Sequence, residues 1–179
     1  MYGITKSHVC LSNFDMKTLK FPELLMRQIR DLLSNSETRL AVAESVTAGY
    51  LQLVCSQMEN ASAIFSGGIT TYTIDEKIRI LRVDPVEAKE SNCVSSIVTE
   101  QMALEVSELF HTDWGIATTG YATVVPESNG ELFAFFSIVY RTEVLRTETI
   151  RLPSATEATE AQFIYTVKAL EAFERILKR

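Results

Sequence analysis

Hydrophobic positions follow two periods along the chain, and each period predicts one kind of element. After Pro22, the residues Leu25, Ile29, Leu32 and Leu33 recur at helical spacing. Other stretches are short apolar runs of strand composition. We predict further helices over residues 47–58, 75–81, from 84–85 onward, from 95 to about 110, and 155–177. We predict strands over residues 39–43, 63–71, 114–118, 132–140 and 144–152, the last two joined as a hairpin.

The two longest predicted helices each have an apolar face that should pack on the sheet. The expected core positions are Val98, Met102, Val106 and Leu109 in one helix, and Phe163, Val167, Leu170, Phe173 and Leu177 in the other. Alternation of helices and strands favours a single-domain α/β fold, a three-layer α/β/α sandwich with a mixed sheet. Residues 1–20 are predicted to form an N-terminal arm or an extra strand, and residues 21–179 the domain.

Composition narrows the function classes. The chain has 179 residues and a net charge of -6, which argues against a protein that mainly grips nucleic acid. It has no apolar stretch near the roughly 20 residues of a membrane span and no signal-peptide block, so we expect a cytoplasmic protein. Its three cysteines are widely separated and predict neither a metal site nor a disulfide framework. We expect no cofactor, since phosphate-loop and dinucleotide-binding glycine motifs are missing.

The segment from Ala43 to Gly49, AESVTAG, is the first candidate for chemistry. It follows a predicted strand and precedes a predicted helix, whose unpaired N–H groups could stabilise an oxyanion beside a nucleophilic Ser45. The alternative is that Ser45 or Thr47 is an ordinary helix N-cap. The two histidines, His8 and His111, lie in no motif-like context, which disfavours a Ser-His-Asp triad.

A second candidate segment, Phe65 to Tyr72, contains Gly67-Gly68 and precedes Lys77. The glycines permit close backbone approach. A lysine in the first turn of a helix, partly buried, has a lowered pKa and can deprotonate a serine. Tyr72 could relay a proton. Alternatively, Lys77 is a solvated surface residue and Tyr72 packs at the edge of the core.

Together these segments resemble the C-terminal domain of the competence/damage-inducible CinA family, whose stand-alone forms are nicotinamide-nucleotide amidases. The resemblance covers roughly residues 22–177. Its motifs match AESVTAG at 43–49, GGITTYTIDEK at 67–77, CVS at 93–95 and TGYA at 119–122. Several motifs in the family's order make the match specific for the fold.

The resemblance implies hydrolysis of the carboxamide of nicotinamide mononucleotide to nicotinic acid mononucleotide and ammonia. It assigns Ser45 as nucleophile, Lys77 as base and Tyr72 as a catalytic tyrosine. It also implies a homodimer or larger assembly with a small pyridine nucleotide or related amide as ligand. We expect no metal, because the clustered His and Cys that a zinc site needs are absent from the sequence. The substrate-binding positions that it implies are Glu44, Val46, Thr47, Gly49, Gly67, Gly68, Thr119 and Gly120.

The chain departs from the family's pattern where the substrate should bind. A glycine-rich loop is replaced by residues 123–127, TVVPE, and the family's Gly-Asp-Arg before the last helix reads Pro153-Ser154-Ala155. Valines and a glutamate suit a phosphate poorly. Arg151 is near in sequence and could substitute for the missing arginine. Two alternatives to the mononucleotide amidase follow: an inactive ligand-binding or oligomeric module, and an amidase for a non-phosphorylated or bulkier amide.

Overall fold

A computed structural model describes residues 21–179 and has the predicted architecture. A five-stranded sheet with the order β2-β1-β3-β4-β5 lies between two layers of helices. Strand β1 (Leu40–Glu44) is parallel to β2 (Phe65–Thr70) and β3 (Trp114–Gly120). Strand β4 (Leu132–Tyr140) is antiparallel to both of its neighbours, β3 and β5 (Glu143–Leu152). The sheet is therefore mixed and the fold is a single α/β domain, as predicted. The arm or extra strand predicted over residues 1–20 lies outside the described residues.

Seven α-helices occur in residues 21–179, and most begin within three residues of their predicted starts. They are α1 (Glu23–Ser36), α2 (Tyr50–Ser56), α3 (Ala61–Ile64), α4 (Ile74–Leu81), α5 (Pro85–Glu90), α6 (Ser96–Phe110) and α7 (Ala158–Leu177).

Strand β1 separates two hydrophobic cores by the alternation of its side chains. Leu40 and Val42 face α1, α2 and α7, while Ala41 and Ala43 face α4, α5 and α6. Small residues on the second face let α6 lie close to the sheet. At Gly115 in β3, an added Cβ would lie 2.1 Å from the carbonyl oxygen of Ala103 in α6.

The predicted core faces of α6 and α7 require correction. Leu109 is 48% exposed. At the end of α6 the helical period turns Leu109 away from the core, and Phe110 packs against the core in its place. In α7, Leu170 and Phe173 are buried as predicted, but Phe163, Val167 and Leu177 are only partly buried. The buried face of α7 is rotated towards smaller residues that allow close packing, together with one tyrosine: Ala161, Tyr165, Thr166, Ala169 and Ala172.

Candidate functional site

The carboxyl ends of the three parallel strands meet at one edge of the sheet, and a cavity of about 260 Å³ opens there. Ser45 follows β1, Tyr72 lies two residues beyond β2, and Tyr121 follows β3. Because β1 lies between β2 and β3, Ser45 lies between the two tyrosine-bearing segments. The residues that line the cavity are Ser45, Val46, Tyr72, Thr73, Ile74, Lys77, Asn92, Cys93, Val94, Thr119, Gly120, Tyr121 and Ala122.

Ser45 and Lys77 are in direct contact at the base of this cavity. The Lys77 Nζ lies 3.0 Å from the Ser45 Oγ, and it also contacts the carbonyl oxygen of Tyr72 at 3.5 Å. Lys77 is only 2% exposed and Ser45 only 8%. The predicted contact between residues 32 positions apart is therefore present, and the alternative of a solvated Lys77 is wrong.

Burial lowers the pKa of the Lys77 amine, and the neighbouring Cys93 acts in the opposite direction to a smaller extent. Burial also raises the pKa of the Cys93 thiol. Desolvation disfavours the charged form of each group, so it increases the neutral fraction of the amine. A neutral amine has a lone pair that can accept the proton of the Ser45 hydroxyl across the observed contact.

The surroundings of Ser45 differ from the predicted strand-to-helix junction. Helix α2 begins at Tyr50 rather than at residue 47, because Ala48 (φ 51°) and Gly49 (φ 99°) form a turn in between. Ser45 is therefore not a helix N-cap. Its own N–H donates to the carbonyl oxygen of Thr118 at 3.0 Å, which fixes the serine to the end of β3.

The N–H groups at the start of α2 already have acceptors and are not available to an oxyanion, since that of Tyr50 donates to the carbonyl oxygen of Thr47 and three others donate to Glu44. The buried Glu44 carboxylate accepts from the backbone N–H of Gly49 (3.0 Å), Leu51 (3.0 Å) and Gln52 (2.7 Å), and from Thr47 Oγ1 (2.6 Å). This arrangement corrects the predicted source of oxyanion stabilisation. Within residues 21–179, the N–H groups of Val46 and Thr47 have no hydrogen-bond acceptor, and Val46 lines the cavity.

Of the eight predicted substrate-binding positions, three line the cavity: Val46, Thr119 and Gly120. The Thr119 hydroxyl is already engaged, since it donates to the carbonyl oxygen of Cys93 at 2.8 Å. At Gly120, an added Cβ would lie 2.5 Å from Ala134 Cα, so packing explains this glycine.

The other five positions lie behind the cavity wall and hold the fold together. Glu44 and Thr47 bind each other, and Gly49 occupies the turn with a positive φ. Gly67 and Gly68 lie in β2 beside β1. A Cβ at Gly67 would meet the Phe110 ring at 2.8 Å, which gives that glycine a packing role. The surroundings of these residues do not support direct substrate contact.

Tyr72 lines the mouth of the cavity with its side chain 74% exposed. Its backbone carbonyl, rather than its hydroxyl, contacts Lys77. Within the described residues, the phenol oxygen has no hydrogen-bond partner. The proton-relay role of Tyr72 thus stays a prediction that requires the side chain to turn inward.

Asn92 and Cys93 also line the cavity, and their residue types alone predicted no role for them. Both residues adopt the left-handed backbone conformation, with φ of 51° and 57°. The Asn92 side-chain amide donates to the Tyr121 hydroxyl at 3.4 Å. A sequence signal existed, since Cys93 and Tyr121 each fall inside a family-like motif, but neither residue type alone points to a site.

In the part of the chain that the structure describes, no cluster of three or more His, Cys, Asp or Glu side chains could hold a metal ion. No helix among residues 21–179 is long and apolar enough to cross a membrane. Arg151, the predicted substitute for a phosphate-binding arginine, is not a lining residue. Its guanidinium lies 3.7 Å from Glu131 and 6.0 Å from the centre of the Phe133 ring.

Two solved structures share this fold. The competence or damage-inducible protein from Enterobacter asburiae aligns with a TM-score of 0.82 and 23% identity, covering 89% of this chain and 99% of that one. The competence/damage inducible protein CihA from Agrobacterium tumefaciens aligns with a TM-score of 0.80 and 24% identity, covering 90% and 99%.

Curated relatives are longer than this chain. A CinA-like protein from Picosynechococcus sp. is 30% identical over 152 residues, which cover 84% of this chain and 36% of that protein. A CinA-like protein from Rippkaea orientalis is 37% identical over 100 residues, covering 56% and 24%. The chain thus spans about a third or less of the length of these relatives. A model of the CinA C-terminal domain matches residues 23–177, and the chain therefore belongs to the CinA C-terminal domain family.

Proposed function

We propose that the domain is a serine amidohydrolase that converts a primary carboxamide into a carboxylate and ammonia. The observation that carries the proposal is the 3.0 Å contact between the Ser45 hydroxyl and the buried amine of Lys77. A hydroxyl at hydrogen-bond distance from an amine of lowered pKa is an activated nucleophile. Family membership and the resemblance of the motifs suggest a pyridine nucleotide as substrate, with nicotinamide mononucleotide as the first compound to assay.

The reaction begins when the neutral Lys77 amine removes the Ser45 proton as Oγ attacks the carboxamide carbon. The N–H group of Val46, which lines the cavity and has no acceptor among the described residues, is the donor that we assign to the developing oxyanion. Lys77 then returns the proton to the departing nitrogen, which leaves as ammonia, and the C–N bond breaks to give an ester on Ser45. Water attacks this ester while Lys77 accepts the water proton. Lys77 then returns that proton to the departing Ser45 oxygen, and the released carboxylic acid ionises to the carboxylate.

We assign Tyr72 an assisting role that depends on its mobility. When a ligand occupies the mouth, rotation of the exposed side chain would bring the phenol over Ser45, where it can share the proton with Lys77. A homodimer or larger assembly in the cytoplasm completes this proposal.

The test is ammonia release from nicotinamide mononucleotide and related amides by the wild-type chain, Ser45→Ala and Lys77→Met. Ser56→Ala and Lys89→Met are matched controls, since both of those side chains are exposed and lie outside the cavity. We expect the first pair to abolish turnover and the control pair to preserve it. Equal ammonia release by wild type and Ser45→Ala would refute the proposal.

The exposed Tyr72 and the altered segment 123–127 favour a second candidate, an inactive ligand-binding module. Such a module would show no turnover of any amide in the panel. Its melting temperature would still rise with one of these ligands, equally in wild type and Ser45→Ala.

A further inference from the structure

The side chains that line the cavity offer little to a phosphate group. Among the described residues that line it, Lys77 carries the one basic side chain, and its amine is held against Ser45 at the base. The remaining lining side chains carry hydroxyls, an amide, a thiol or apolar groups. A phosphate is normally held by arginine, lysine or several free backbone N–H groups.

Two arginines near the site in sequence are bound to carboxylates. Arg79 in α4 pairs with Glu76, with Nε 3.1 Å from Oε2. Arg151 in β5 pairs with Glu131 and lies over the Phe133 ring. Neither lines the cavity, so neither supplies the cation that a phosphate requires.

Exposed carboxylates adjoin the segments that form the mouth. Asp75 directly follows the lining residue Ile74, and Glu127 lies on the exposed loop that continues from Ala122. Like charges repel, and two such groups disfavour a phosphate dianion at this edge of the sheet. The same charges favour a cationic ligand over an anionic one.

Two phenol rings provide the positive evidence for the kind of ligand. Tyr72 and Tyr121 line the cavity from the strand ends on either side of Ser45. Tyr121 is held in place by the Asn92 amide and by an edge contact with Phe133 at 5.5 Å between ring centres. Aromatic faces stack on flat rings and attract cationic ones.

From these features we infer that the site prefers an aromatic carboxamide without a phosphate group, such as nicotinamide or its cationic riboside, over the mononucleotide. The inference rests on the proposed function and narrows its substrate class. The amide carbon would lie at Ser45, the ring between Tyr72 and Tyr121, and the ring substituent towards solvent.

The first test compares kcat/KM for nicotinamide, nicotinamide riboside and nicotinamide mononucleotide by ammonia release. We expect the better non-phosphorylated amide to exceed the mononucleotide by about tenfold or more. A mononucleotide preference would overturn the inference and leave the amidohydrolase proposal standing. If no amide is hydrolysed, the proposed function fails, and calorimetric binding to Ser45→Ala decides the inference. Tighter binding of nicotinamide or its riboside supports it, whereas tighter mononucleotide binding, or no binding, overturns it.

The second test introduces the missing charge. Ala122→Arg places a cation on the cavity wall, and Ala122→Gln adds a neutral side chain there. We expect Ala122→Arg to shift the kcat/KM ratio towards the mononucleotide by about fivefold, and Ala122→Gln to leave that ratio unchanged. In an inactive chain, the same shift is measured as a ratio of dissociation constants. An unchanged ratio in Ala122→Arg would show that charge does not set the preference.

Discussion

Glu44 and Lys77 are two buried ionisable groups near the end of β1, and they differ in how completely hydrogen bonds satisfy them. The Glu44 carboxylate accepts four hydrogen bonds from Thr47 and three backbone N–H groups. The Lys77 amine, with almost the same burial, has two contacts, one of them at 3.5 Å. A buried charge is stable when its hydrogen bonds are complete and poorly stabilised when they are not. Glu44 therefore contributes to folding, and Lys77 is available for proton transfer.

Removing the amine should have the largest effect on this comparison. Lys77→Met removes the base, and we expect kcat for amide hydrolysis to fall by about 10²- to 10⁴-fold. Lys77→Arg should lower kcat by a similar factor, because a guanidinium keeps its proton and cannot act as a base. Steady-state ammonia release measures both, with Lys89→Met as the control. Activity within a factor of two of wild type in Lys77→Met would show that Lys77 is not the base.

Removing the carboxylate charge should act on stability instead. Glu44→Gln keeps the size of the side chain but replaces one acceptor oxygen with a donor that faces N–H groups. We expect the free energy of unfolding to fall by about 2–3 kcal/mol, since hydrogen bonds to charged groups are lost. Urea denaturation gives this value. The folded fraction should retain most of its kcat, and a stable variant with lost activity would place Glu44 in the chemistry.

Variants of Tyr72 test whether the Lys77 amine transfers the proton without help from the phenol. Tyr72→Phe keeps the ring and removes the hydroxyl, and we expect kcat to fall on the order of tenfold with little change in KM. Tyr72→Ala should also raise KM, because the ring is lost from the mouth. Unchanged kcat in Tyr72→Phe would mean that Lys77 handles the proton without this phenol.

The smallest effect concerns the stability cost of burying Lys77. Burial lowers the pKa of its amine in the folded chain, so the unfolded chain binds more protons between that pKa and the ordinary value of 10.5. Wild-type stability therefore rises with pH across this interval. Lys77→Met should be more stable than wild type at pH 7, and this advantage should decrease as the pH approaches 10.5.

Urea denaturation at several pH values measures this trend, and the exposed Lys89→Met should show no such dependence. A stability difference between Lys77→Met and wild type that does not change with pH would show that the amine has no cost of burial. Opposite stability changes in the Glu44 and Lys77 variants would confirm the comparison in full.

Local sequence patterns predicted most of the fold, because they depend on side-chain period and on turn residues. The hairpin at residues 132–152 and the starts of α5 at Pro85 and α6 at Ser96 are examples. The contact between Ser45 and Lys77 was also predicted, but it needed the resemblance as well as the residues. Without it, a lysine in a first helical turn is more often solvated.

Features that depend on distant contacts were not predictable in this way. The turn at Ala48 and Gly49 shifts the start of α2 to Tyr50. This turn is stabilised by the Glu44 carboxylate, which accepts hydrogen bonds from three N–H groups that follow it in sequence. A glutamate at a strand end has no local signal for that role. The contact between Asn92 and Tyr121 likewise joins two loops whose residues are 29 positions apart in sequence.

The proposed reacting residues and the other cavity-lining residues come from different segments of the chain, which affects how such domains diversify. Ser45 and Lys77, the proposed nucleophile and base, are anchored to β1 and α4, whereas Asn92, Tyr121 and Ala122 come from loops that carry neither. Changes in these loops can alter which molecules are accepted while the reacting atoms keep their separation. One scaffold can therefore acquire new specificities by successive single substitutions without first losing its reactivity.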